Sequence, residues 1–373
     1  MKLVSRLSLV GLGVAAVAVL ALSQGCSSTE TPAAAGGGVG APPAKPSAGA
    51  TTSKTEHNYA LQQLFMGDVD RNLAKSTTAW KKFGYNIDGK VSTKDSTDVC
   101  TPFEGAGKDA QVDGENGIDN TFGSRIIPII QTFSAEVSKS ITEQLKQGNF
   151  TVMIDTVGLT DDPKQTNTAL SGQLFAGGKL ANPTFTVADK WPVSPDLLVG
   201  GTLAGGSKVK FSDAYIVGGQ WVNGTPSDVS IALIFGGVSL EIKVRRGTIV
   251  FEHAGNQAAN GTISGVLDTE ELITGLQKVA GRISTSLCSG SAFDSIAKQI
   301  RQASDIMADG TNAAGTKCNA ISIGIGFTAA EIAPPSVVAM PAAPGVDMCM
   351  GGGADAGTRA TDAGTGATDA AAE

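Results

Sequence analysis

Apolar and polar positions fall into an opening apolar run, two helical stretches and a long alternating tract between them. Leu7 to Leu22 is apolar, relieved only by small residues, behind the cationic start of Lys2 and Arg6. From residue 121 the period is helical. Ile126, Ile130, Phe133, Val137, Ile141 and Leu145 form one stripe, Asn120 or Thr121 can cap it, and Gly148 ends it. Pro128 is tolerated because it lies near the start. At Asn149 the period becomes two, with Phe150, Val152 and Ile154 on one face and Thr151, Met153 and Asp155 on the other. Short alternating runs recur up to Leu267. The clearest lies within 230–251, where Val238, Leu240, Ile242 and Val244 alternate with Ser239, Glu241, Lys243 and Arg245. Gly236-Gly237 and Arg246-Gly247 read as tight turns on either side of it. Asp268 with Glu271 makes a capping box ahead of Leu272, Leu276, Val279, Ile283 and Leu287. Ile296, Ile300, Ala303 and Met307 predict another helix. A last strand follows, Ile321, Ile323, Ile325 and Phe327 alternating with Ser322, Gly324 and Gly326.

These elements predict an α+β fold: an antiparallel β-meander, as a sandwich or half-barrel, with several amphipathic helices packed on one face. The boundaries are a signal peptide at 1–25, a lipidated cysteine and flexible tether at 26–56, one globular domain at 57–333, and a disordered tail at 334–373. Within the domain, 57–120 is turn-rich, 121–148 a helix, 149–267 the meander, and 268–333 helices and the final strand. The tether and tail are dominated by Ala, Gly, Pro, Ser and Thr, which bury too little apolar surface to offset chain ordering. The opening run is short for a permanent span and is read as a cleaved secretory signal.

Loss of the signal removes Lys2 and Arg6 and no acid, so the formal charge of −7 becomes −9. An acidic chain with only three Trp and three Tyr lacks the basic face that nucleic-acid binding needs, and no nucleic-acid partner is expected. Beyond Cys26 there are four cysteines, Cys100, Cys288, Cys318 and Cys349, an even number in an exported chain and therefore read as two disulfides. Of three possible pairings, Cys288 with Cys318 and Cys100 with Cys349 is the expected one. Their wide spacing and the presence of only two histidines exclude a zinc cluster.

The densest candidate chemistry is KDAQVDGENGIDNTFG, residues 108–123. Asp109, Gln111 and Asp113 alternate ahead of Gly114, with Asp119 and Asn120 placed to close the shell. This spacing is like the front of a calcium loop, in which alternate oxygens converge and glycine permits the turn. Gln111 and Asn120 stand where such loops carry acids. Asp68, Asp70 and Asn72 repeat the spacing, with Leu73 in place of glycine. His253 is the candidate general base, but no GxSxG elbow accompanies it. The glycine pairs lack the Lys-Ser/Thr of a phosphate loop, and no catalytic residue is assigned.

The segment LALSQGC, ending at Cys26, resembles the box cut by the lipoprotein signal peptidase, with Leu22 and Gly25 in place. The resemblance implies lipid on Cys26, hence the membrane as a partner. The absence of an acid at Ser27-Ser28 implies, by the same resemblance, the outer membrane. GYNIDGK (84–90) and DGENGIDNTFG (113–123) are similar to blocks in uncharacterised lipoproteins of the bacterial outer envelope, a resemblance that covers most of the body and implies no known activity. The resulting expectation is a non-catalytic cell-envelope lipoprotein, a calcium-braced module binding a protein, glycan or other envelope component. The alternative is an envelope lipoprotein handling lipid or another hydrophobic ligand in a cavity of its curved sheet.

Overall fold

The computed structural model describes residues 40–340, apart from 48, 50–52, 134, 236–237, 284 and 289. The signal peptide, Cys26, Cys349 and most of the tail therefore lie outside the described residues. Among the described residues there are nine strands: β1 (Glu56–Phe65), β2 (Thr151–Val157), β3 (Asn167–Gly177), β4 (Val209–Val217), β5 (Gln220–Val222), β6 (Ser227–Phe235), β7 (Val238–Ala254), β8 (Gln257–Asp268) and β9 (Ala320–Ile332). The described residues also form four α-helices: α1 (Ile127–Gln131), α2 (Val137–Lys146), α3 (Thr269–Ile283) and α4 (Gly290–Gln302).

The sheet runs β5-β4-β3-β2-β1-β9-β8-β7 with every pairing antiparallel, and a further β5–β7 pairing closes the ring. The fold is thus a closed eight-stranded antiparallel barrel, with β6 as a ninth strand hairpinned onto β7. This corrects the expected α+β sandwich or half-barrel with helices on one face. Two strands absent from the sequence reading make the closure. β1 bridges β2 and β9, and the three residues of β5 reach β7 through Trp221 opposite Phe251.

The expected turn at Arg246-Gly247 is a bulge inside the long strand β7. Arg246 has φ 51° and the β7–β8 register shifts between Arg245 and Thr248. Here β7 exchanges one edge partner, β6, for another, β5. Asn223, wholly buried, fills the gap in the ladder. Its Nδ2 donates to Gly247 O at 3.0 Å and its Oδ1 accepts from Ile249 N at 2.9 Å.

The expected helix at 121–148 is interrupted. A π-helical turn over Phe122–Ile126 leads into α1, and α2 starts only at Val137. Phe133, assigned to the apolar stripe, is 46% exposed in the break. α2 buries Val137, Ile141 and Leu145. Ser138 Oγ accepts from Met66 N at 2.8 Å, and Thr142 Oγ1 from Leu64 N at 3.3 Å, which fixes α2 across the end of β1. Asp268 caps α3 as expected, accepting from Glu270 N and Glu271 N at 3.1 and 3.0 Å. Glu271 does not complete the box, because its carboxylate pairs with Arg245 at 2.6 Å. α3 follows the end of β8 and α2 covers the end of β1, so the helices close one end of the barrel and share its core.

The barrel interior is filled by rings. Trp221 stacks on Phe251 at a centroid distance of 5.0 Å, with Phe211, Tyr59 and Phe327 around them at 5.4–6.5 Å. An eight-stranded barrel is just wide enough for side chains to fill or for one small ligand. Two irregular segments cover the outside. Residues 178–208 lay Trp191, Val193 and Leu198 over Ala60, Met153, Phe175 and Ile332. The 66–126 block rests on β9, where a Cβ at Gly324 would stand 2.1 Å from Phe83 O. Only glycine admits that approach. Residues 40–47, assigned by composition to the tether, also lie on the body: Asn86 N donates to Gly40 O at 2.9 Å and Tyr215 OH bonds Pro43 O.

Candidate functional site

The structure splits the five expected calcium ligands, committing Asp109, Gln111 and Asn120 to separate partners. Asp109 is exposed and pairs with Arg125, whose hydrogen bond holds its carboxyl below the ordinary range. Gln111 is buried, and its Nε2 donates to Cys100 O and lies 3.5 Å from Cys318 Sγ. Asn120 is a brace. Its Nδ2 reaches Trp80 O, Phe83 O and Gly324 O at 3.0–3.1 Å, while Oδ1 accepts from Gly123 N and Gly324 N at 3.0 and 2.9 Å. The second loop is also occupied: Asp70 folds its own turn onto Asn72 N and Ala74 N, and Asp68 accepts from Ser138 at the start of α2. Among the described residues, no three His, Cys, Asp or Glu side chains are grouped to hold a metal ion.

Asp113 and Asp119 do come together, joined by Asp88 and Asp305, which the sequence reading did not select. Asp119 is buried and accepts from Ile87 N at 2.6 Å. Asp113 accepts from Ser92 N. Asp305 accepts from Ser322 N and Oγ at 2.8 and 2.6 Å, and Asp88 accepts from Asn312 Nδ2 at 2.9 Å. Burial first, then the neighbouring carboxylates, pushes Asp113 up to about 7 and Asp119 well above its ordinary range. Burial pushes Asp305 up to about 7 against the hydrogen bonds of Ser322. Such a cluster holds protons near neutrality in place of charge.

Beside it lies the disulfide, which joins Cys100 to Cys318. The expected pairing of Cys318 with Cys288 and of Cys100 with Cys349 is therefore corrected. A helix between Cys288 and Cys318 suggests a bridge across it, whereas the fold lays residue 101 alongside 317 in a parallel bridge. The side chain of Cys288 and all of Cys349 are outside the described residues.

At the end of the barrel away from the helices, both histidines point inward with Tyr59 and Glu331. His57 Nδ1 lies 2.8 Å from Glu331 Oε1. His253 Nε2 lies 2.9 Å from Thr160 O and its Nδ1 3.0 Å from Tyr59 OH. A carbonyl only accepts, so Nε2 carries the hydrogen and the neutral ring accepts the Tyr59 proton at Nδ1. Burial holds His253 below its usual value, with the Thr160 bond opposing and His57 reinforcing. Burial, then the Glu331 charge, raises Tyr59. With both nitrogens committed and the residue 3% exposed, His253 is not poised to take a proton from a nucleophile. The sequence offered no sign of this network, because its members are spread over β1, β7, β9 and the turn after β2.

Comparison with protein-family models, with curated proteins and with solved structures finds no match.

Proposed function

We propose that this chain is a non-catalytic lipoprotein of the bacterial cell envelope, held to the membrane, the outer one by its Ser27-Ser28, through lipid on Cys26. Its barrel is a rigid module that meets its partner, a protein, glycan or lipid surface, on the outside. The observation that carries the reading is the filled interior. Trp221, Phe251 and Phe327 are fully or almost fully buried, with Phe251 in ring contact with both of the others where an internal ligand would sit. The locked His253 supports the absence of catalysis, and the 1–26 segment with its lipoprotein-like box supports the anchor.

The alternative, carriage of a lipid or other hydrophobic ligand, draws on the closed antiparallel barrel itself, an architecture that encloses small ligands when its interior is left open. Native mass spectrometry of the folded body released from its anchor separates the two. The proposal expects the bare polypeptide mass; a bound lipid that survives desalting would replace it with the carrier reading. Calcium bracing at 109–120 draws no support from the way those residues are placed.

A further inference from the structure

On the outer face of the barrel, where β1 begins, two buried oxygens lack donors. Asn58 and Asp155 are directly opposed in the β1–β2 ladder and are 2% and 5% exposed. Asn58 Nδ2 donates to Glu56 Oε1 at 3.1 Å, which sets the amide beside that carboxylate and leaves its Oδ1 unpartnered. Asp155 Oδ2 accepts from Gln173 Nε2 at 3.1 Å, and its Oδ1 is likewise unpartnered. Directly opposed residues hold their Cβ atoms about 4.5–5.5 Å apart on one face. The two bare oxygens therefore sit on one face of neighbouring strands, with the exposed Glu56 beside the Asn58 amide.

Buried acceptors without donors are unfavourable, and a buried carboxylate beside a second carboxylate more so. The polar groups around Asp155 are the Glu56 carboxylate, the Asn58 amide and the Gln173 amide. None of these supplies a positive charge. We propose that Glu56, Asn58 and Asp155 form a binding site for calcium. All three donors are oxygens, the choice of a hard cation rather than of zinc or copper. Three side chains from two strands, with one exposed side, suit the loose geometry of calcium with several waters better than the strict octahedron of magnesium. Few protein ligands place the affinity in the extracellular class, with a dissociation constant of about 10⁻⁴–10⁻³ M. The bound ion clips the first residues of β1 to β2.

The test is thermal unfolding of the mature chain at pH 7.5, in EDTA, in 10 mM calcium and in 10 mM magnesium. At tenfold saturation or more, calcium raises the midpoint by about 2 °C or more, and magnesium by less. Asp155→Asn and Glu56→Gln each abolish the rise, whereas Asp113→Asn leaves it intact. Asn58→Asp adds a carboxylate and lowers the calcium concentration at half effect, a gain that survives as a test if Asp155→Asn fails to fold. No calcium-specific rise in the wild type overturns the proposal. So does a rise that persists in Glu56→Gln and is lost in Asp113→Asn, which would return the ion to the 109–120 loop.

Discussion

Replacing Cys100 and Cys318 together with alanine removes the one covalent tie, among the described residues, between the 66–126 block and the start of β9. The bridged positions are 218 residues apart. On a chain-entropy account, releasing a loop of that length from the denatured state lowers stability by about 5 kcal/mol at 25 °C. Little of the native geometry needs to change. Thr101 N still donates to Thr316 O at 2.7 Å, Cys318 N to Thr101 O at 3.0 Å, and the residue 100 amide to Asn312 Oδ1. The loss therefore falls mainly on the unfolded side. With a urea slope of about 3 kcal/mol/M for a domain of this size, the midpoint should fall by roughly 1.7 M. The assay is urea unfolding of both proteins produced under oxidising conditions, after peptide mapping of the wild type. A shift below about 0.3 M would refute the entropic argument. A mapped peptide linking Cys318 to Cys288 would refute the pairing on which it rests.

The pH dependence should carry two limbs of opposite origin. Asp305 stands near 7 in the fold against an ordinary 3.8, so its contribution is complete below about 4 and is lost as pH rises through about 7. Asp305→Asn should remove much of the fall in stability between about pH 4 and 7, at most about 4 kcal/mol for a shift of this size, and an unchanged slope in urea titrations would contradict it. His253 is depressed from 6.5, so its contribution is present above 6.5 and lost as pH falls below it. His253→Asn should flatten that acid limb in the same titrations. Gly324→Ala places a Cβ 2.1 Å from Phe83 O and should destabilise by about 3 kcal/mol or prevent folding, while Gly290→Ala, which meets nothing within 4 Å, should change the thermal midpoint little. Equal midpoints for the two alanine variants would show that the 66–126 block does not rest on β9 as described.

The parts of the fold legible in the sequence are those with one face buried and one exposed. α3 and α4 show a helical stripe, and β7 ahead of its bulge alternates cleanly. β9 alternates too, although both its faces are buried, because one takes branched residues and the other must take Gly324 and Gly326. β1 was hidden because it is covered on both sides and its register slips between Leu61 and Gln63, so the inward set His57, Tyr59, Leu61, Leu64 breaks the period of two. β5 is too short to show any period. Closure of the barrel depends on these two strands, which is why an open sheet was the natural reading. The 108–123 segment carries the densest candidate chemistry in the sequence, and in the fold Asp113, Asp119 and Asn120 bond the backbone of neighbouring loops. Asp88 and Asp305, which complete the carboxylate cluster, lie 217 residues apart and meet only in the fold. Cysteine spacing cannot choose among pairings when the partners are set by a loop lying back along a distant strand.

The central claim, a lipid-anchored envelope protein, rests on Cys26. Growth of a bacterial host with labelled palmitate, followed by detergent-phase partitioning and mass spectrometry of the mature N-terminus, tests it directly. The account predicts that the wild-type chain begins at Cys26, carries the label and enters the detergent phase, and that Cys26→Ser is unlabelled and stays in the aqueous phase. An unlabelled wild-type chain, or a mature N-terminus at any other residue, would contradict it.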